Sequence, residues 1–189
     1  LGPVTVTIEG GTVAGSVFGC NNLYGAPQST VTVNVVNDLS GVTMTLHNVY
    51  GGGNLAAYSN NGNNYPEVNI KHGTVDGSVF GGGLGATAVV TGNPQVTIGD
   101  DVAEHTAIVN NNVYGGGDLA VVTGSTTVTV QNAHSQVGID VYGGGNQADV
   151  LHSTTVHINN GTIGQDVYGG GAFADVGTSN SDQTTVNIS

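Results

Sequence analysis

Val17-Phe18-Gly19-Cys20, Val49-Tyr50-Gly51-Gly52-Gly53, Val79-Phe80-Gly81-Gly82-Gly83, Val113-Tyr114-Gly115-Gly116-Gly117, Val141-Tyr142-Gly143-Gly144-Gly145 and Val167-Tyr168-Gly169-Gly170-Gly171 are six versions of one phrase. Each is an apolar β-branched residue, an aromatic ring and then glycine. From valine to valine the spacings are 32, 30, 34, 28 and 26 residues. Self-similarity at that period marks a solenoid, a propeller or an array.

Between phrases the chain alternates apolar and polar residues. Val4-Thr5-Val6-Thr7-Ile8 does so with strict period two, the pattern of a half-buried strand. The same pattern returns at residues 31–35, 67–70, 95–98, 127–130, 155–158 and 185–188. A third short segment follows the glycines, as in Leu119-Ala120-Val121-Val122, Ala148-Asp149-Val150 and Ala174-Asp175-Val176. Apolar residues nowhere recur at helical spacing for more than a turn, and Thr, Val, Asn and Gly disfavour helix. The fold class expected is all-β: a right-handed parallel β-helix (β-solenoid) with three short strands per coil and about six coils. Propeller blades need more residues and four strands. Residues 1–189 read as a single β-solenoid repeat domain. With a strand near each end and no capping unit in sight, the expectation is a fragment of a longer array, or ends that self-associate with other chains.

Composition narrows the partners. Only 7% of residues are charged, the net charge is −12, and Lys71 is the single basic residue. Nucleic-acid binding needs cations to displace phosphate counterions, so no nucleic-acid partner is expected. No apolar run approaches the roughly 18 residues of a membrane span, so no membrane insertion is expected either. No signal peptide is visible, as in a mature fragment or a cytosolic chain. Cys20 stands alone and takes a glycine's place in the first phrase, the mark of a small buried or turn residue.

In a β-helix, equivalent positions of successive coils form columns. The valine of the phrase shares parity with Val13, or with Val137 and Ile139, and should face inward. Phe18, Tyr50, Phe80, Tyr114, Tyr142 and Tyr168 should then stack outside or at a corner, as a structural ladder or as a binding platform for glycan rings. The residues before the valines, Ser16, Asn48, Ser78, Asn112, Asp140 and Asp166, form a polar column. Asp140 and Asp166 would sit one coil apart, as would Asp149 and Asp175. Stacked carboxylates repel; solvated acids with no cofactor are the first expectation, and calcium, a cation that oxygen ligands suit, is the second. The calcium nonapeptide pattern is not matched, because the spacing from Gly143 to Asp149 is wrong.

Two threonine-rich columns are broken, one by Glu67 and Gln95 and one by Asn34 and Asn69, so no flat ice-binding array results. The six histidines do not cluster in sequence, and solvated surface histidines are the expectation; His152 and His157 share a coil without a third zinc ligand. Two insertions, at residues 58–66 and 100–105, read as tolerated corner loops. Catalysis finds little support. Glu9, Glu67 and Glu104 are scattered, whereas glycoside hydrolysis wants two placed carboxylates, and no arginine exists to act as a lyase base.

Gly77-Ser78-Val79-Phe80-Gly81-Gly82-Gly83, the run from Asp140 to Val150, and Thr127-Val128-Thr129-Val130 resemble repeats of very large secreted or surface proteins of gut Bacteroidetes. The resemblance covers essentially the whole chain; residues 18–24 depart from it. It implies a non-catalytic, adhesin-like stalk at the cell surface or outside the cell, with a host or microbial surface glycan or protein as partner. A carbohydrate-binding module using the aromatic column is the second expectation, and a β-helix polysaccharide lyase or hydrolase the third.

Overall fold

The structure is a computed structural model that describes residues 2–59 and 65–189. It is an all-β solenoid of about six turns, without helix among the described residues, in which every strand pairing is parallel.

The alternating segments make one wall. Its rungs are Val4–Ile8, Val31–Val36, the first half of Pro66–Val75, Gln95–Ile98, Thr126–Val130, Thr154–Ile158 and Thr184–Ile188. They pair in that order with like over like: Val6, Val33, Val68, Val96, Val128, Val156 and Val186 form one inward column. Ile8, Val35, Ile70, Ile98, Val130, Ile158 and Ile188 form the next. Period-two alternation puts these side chains on one face. Most of them are fully buried in the main core, where each valine or isoleucine contributes about 1.5–3 kcal/mol.

The second wall differs in detail from three strands per coil: Gly11–Phe18 and Met44–Tyr50 cross it as single strands, and from the third coil on the chain crosses it in two pieces. One piece aligns Leu46, Val75, Val109, Val137 and Ile163. The other aligns the valines and rings of the phrase. In the fifth coil Gln136–Val137 and Val141–Tyr142 are parted at residues 138–140. There the chain bends, yet Gly138 N–H still donates to Val109 O and Ile139 N–H to Asn111 O. The bend leaves Ile139 half-buried and outside the main core, although its parity with Val137 and Val141 puts it inside.

The third wall is narrow. Tyr58–Ser59 pairs with Val90–Thr91, after which Val122, Val150 and Val176 continue as single bridges. Tyr58, read from sequence as part of a polar loop, is instead fully buried in a second core cluster with Val31, Val90, Val122 and Val150. The rest of that insertion lies largely outside the described residues.

The glycines sit where neighbouring backbones nearly touch. A Cβ on Gly52 would lie 2.6 Å from Gly83 N, one on Gly82 2.6 Å from Gly117 N, and one on Gly144 2.6 Å from Gly171 N. Successive coils bond across this corner through Gly52 N–H to Gly82 O and Gly82 N–H to Gly116 O, each 3.0 Å. Close approach, and not a left-handed backbone, dictates these residues.

Candidate functional site

The aromatic column forms as the phrase implies. Phe18, Tyr50, Phe80, Tyr114, Tyr142 and Tyr168 stack in that order with centroids 4.6–5.0 Å apart and planes within 12°. That matches the strand spacing, so one ring rides on each rung. Each interior ring has both faces covered by its neighbours. Tyr50, Phe80 and Tyr114 are only 2%, 4% and 5% exposed, while Tyr168 is 43% exposed. Stacking of this geometry adds about 0.5–1.5 kcal/mol per pair beyond area burial. The three middle rings therefore offer no face to a sugar. Burial pushes the Tyr50 phenol up, and the charge of Asp118 adds to it.

The polar column beside the rings hands one hydrogen bond from coil to coil. Asn48 Oδ1 accepts from Ser78 N–H (2.7 Å), Asn112 Oδ1 from Asp140 N–H (3.0 Å) and Asp140 Oδ1 from Asp166 N–H (3.0 Å). Asp149 Oδ1 does the same for Asp175 N–H at 2.9 Å. The phenol of Tyr142 donates to Asp140 Oδ2 at 2.9 Å, and that of Tyr168 to Asp166 Oδ2 at 3.0 Å. Asparagine, serine and aspartate are interchangeable here because each supplies one acceptor to the next rung. These donors meet the carboxylates of Asp140, Asp149 and Asp166 without a cation, while Asp175 contributes its backbone N–H. Among the described residues the four carboxylates enter no group of three metal-ligating side chains.

Two further features lie on the outer surface. Leu23, Tyr24, Leu55, Ala57 and Thr87 line an open, mainly apolar cleft of about 690 Å³, with Tyr24 87% exposed. Cys20 is part-buried against the second core cluster; its Sγ–H donates to Gly51 O, and burial pushes its thiol up to about 12. A thiol so held is not a nucleophile at neutral pH.

The opposite corner, where the first wall ends, gathers side chains that sequence spacing kept apart. Asp38, His72 and His105 belong to three successive coils. Val36 pairs with His72, Asn37 N–H donates to His72 O, and Gly73 N–H donates to Thr106 O. That stacking brings one ligand atom of each residue within 4.8 Å of the other two. His105 Nε2 lies 3.1 Å and His72 Nδ1 3.5 Å from Asp38 Oδ1, and the two imidazole rings are 4.8 Å apart. His105 Nδ1 sits between both oxygens of Asp100, at 3.0 and 2.9 Å. The 100–105 insertion is thus a positioned loop. Asp100 Oδ1 accepts from Val102 N–H, and Asn132 Nδ2 of the next coil donates to Asp100 O and Val102 O. The expectation of solvated, scattered histidines fails here, since His105 has only 14% of its side chain exposed. His152 and His157 do keep separate partners, Asp182 and Asn187.

Sequence reading missed this group because its members stand at different distances past the last core residue of their strands: three after Val35, two after Ile70 and seven after Ile98. The available signal was a histidine inside an insertion, one coil beyond another histidine at the same corner. No protein-family model, no curated protein and no solved structure matches this chain.

Proposed function

We propose that the chain is a non-catalytic structural and interaction module, a rigid β-solenoid segment of a bacterial surface or secreted protein that serves reach and adhesion. One observation carries this reading: the six rings of the repeated phrase are stacked on one another, and Tyr50, Phe80 and Tyr114 are buried. Stacked rings, coil-to-coil amide bonds and a continuous valine core favour stiffness along the axis. The resemblance of the phrase to repeats of large surface proteins favours the extracellular setting.

A second reading, carbohydrate binding, is favoured by the cleft around Tyr24 and Leu23, where an exposed ring stands beside an apolar floor. A glycan array probed with the wild-type chain and with Tyr24→Ala and Tyr142→Ala/Tyr168→Ala variants separates the two. The structural reading expects no saturable glycan whose binding depends on any of these rings. Loss of a bound glycan on Tyr24→Ala moves the function to the cleft, and loss on the double change makes the end of the column a platform. Turnover of a uronic-acid polymer in the presence of calcium would overturn the non-catalytic assignment.

A further inference from the structure

The corner that holds Asp38, His72 and His105 has the chemistry of a metal site. We infer that these three side chains bind one divalent transition-metal ion of the zinc class, through His72 Nδ1, His105 Nε2 and an oxygen of Asp38, with a fourth position open to solvent or a partner's ligand.

Ligand type is the first argument. Two imidazoles and one carboxylate suit zinc and its neighbours, whereas calcium and magnesium prefer all-oxygen sets. Geometry is the second. Four ligands held at about 2.0–2.1 Å in a tetrahedron lie about 3.3 Å from one another. The two separations to Asp38 Oδ1, 3.1 and 3.5 Å, straddle that value. The remaining pair already lies within 4.8 Å, so small side-chain rotations close the set.

Second-sphere support is the third argument. A metal-bound histidine ordinarily donates its other ring N–H to a carboxylate, which fixes the tautomer and raises ligand basicity. Asp100 stands in that relation to His105 Nδ1, and the loop carrying it is itself tied to the next coil by Asn132. With Nδ1–H given to Asp100, Nε2 presents its lone pair to an oxygen of Asp38 at 3.1 Å. Two such acceptors repel unless a metal ion, or a proton on Nε2, lies between them.

Unmet polar atoms are the fourth. Among the described residues, the buried side-chain atoms left without a hydrogen bond are Asn37 Oδ1 and His72 Nδ1. Both fall at this corner. Buried polar atoms are rarely left orphaned, and an ion or water is a standard explanation where they are. A metal here would join coils two, three and four through residues 38, 72 and 105, and so clip the solenoid along its axis.

The test is zinc titration of the metal-stripped 189-residue chain, by calorimetry and by competition with a chromophoric chelator. One equivalent of zinc should bind. His72→Ala and His105→Ala should each weaken it at least 100-fold, Asp100→Asn about 10- to 100-fold as an outer-sphere change, and His152→Ala not at all. Far-ultraviolet circular dichroism checks that the variants keep the β-solenoid. Wild-type protein supplies a readout free of mutation: on adding zinc, the ring resonances of His72 and His105 should shift and those of the other four histidines should stay. A missing stoichiometric equivalent, equal shifts across all six histidines, or binding that survives the His72→Ala/His105→Ala double change would each overturn the site.

Discussion

The two corners of one coil have followed opposite rules. At the aromatic-glycine corner six coils superpose ring on ring, and a Cβ added to most of the glycines would strike backbone of the next coil. At the corner past the first wall no two neighbouring coils turn alike. Asn37 bonds to Val42 O, Gly73 turns with φ 127°, and a loop tied down by Asn132 carries His105. Where backbones meet within contact distance, each coil must copy the one below. Where side chains keep them apart, coils diverge, and there the polar and metal-ligating chemistry has collected.

The largest effect expected is at the copied corner. Tyr114→Ala should cost about 3–5 kcal/mol in urea unfolding, as for other buried aromatic truncations. Tyr168→Ala, at the exposed ring, should cost less than about 1 kcal/mol, and His72→Ala in metal-free protein about 0.5 kcal/mol. Equal losses at Tyr114 and Tyr168 would erase the distinction between buried and exposed members of the column.

Glycine substitution comes next. Gly82→Ala places a Cβ 2.6 Å from Gly117 N and should cost about 1–3 kcal/mol as an overpacking change. Gly170→Ala meets nothing within 4 Å and should be close to neutral in the same measurement. A neutral Gly82→Ala would mean that coils can part at this corner without penalty.

The smallest effect is a pH dependence. The Tyr142 phenol is raised above its ordinary value of 10.0, first by burial and then by its bond to Asp140. A phenol with a raised folded-state pKa contributes stability that is present below the unfolded value and lost as pH climbs beyond it. Unfolding followed from pH 9 upward should therefore set in above about 10, and Tyr142→Phe should shift the alkaline midpoint higher. An unmoved midpoint would show that this phenol is not linked to folding.

Period and parity were enough to read the walls. The column from Thr5 through Thr32, Glu67, Gln95, Thr127, Thr155 and Thr185 is paired as the alternation implies. That legibility follows from physics, since burial of one face fixes register to the residue. Tyr58 was misread because its polar neighbours outweighed it, although its place after a glycine phrase matches that of Val90. The histidine corner was opaque for a different reason. Coil lengths vary there, so spatial neighbours carry no common spacing, and an aspartate two residues past one strand meets a histidine seven past another.

The hand-off through Asp140 Oδ1 and its counterparts asks nothing of a neighbour beyond one amide hydrogen at the right height. A whole coil is therefore an exchangeable unit. Excising residues 79–112 would set Val113 and Tyr114 over Val49 and Tyr50 with the same kinds of contact, and would carry off Asp100 and His105 with the lost segment. Unequal recombination between repeats of such a gene can thus lengthen or shorten the rod without redesigning it, while each event decides afresh whether the histidine pair survives.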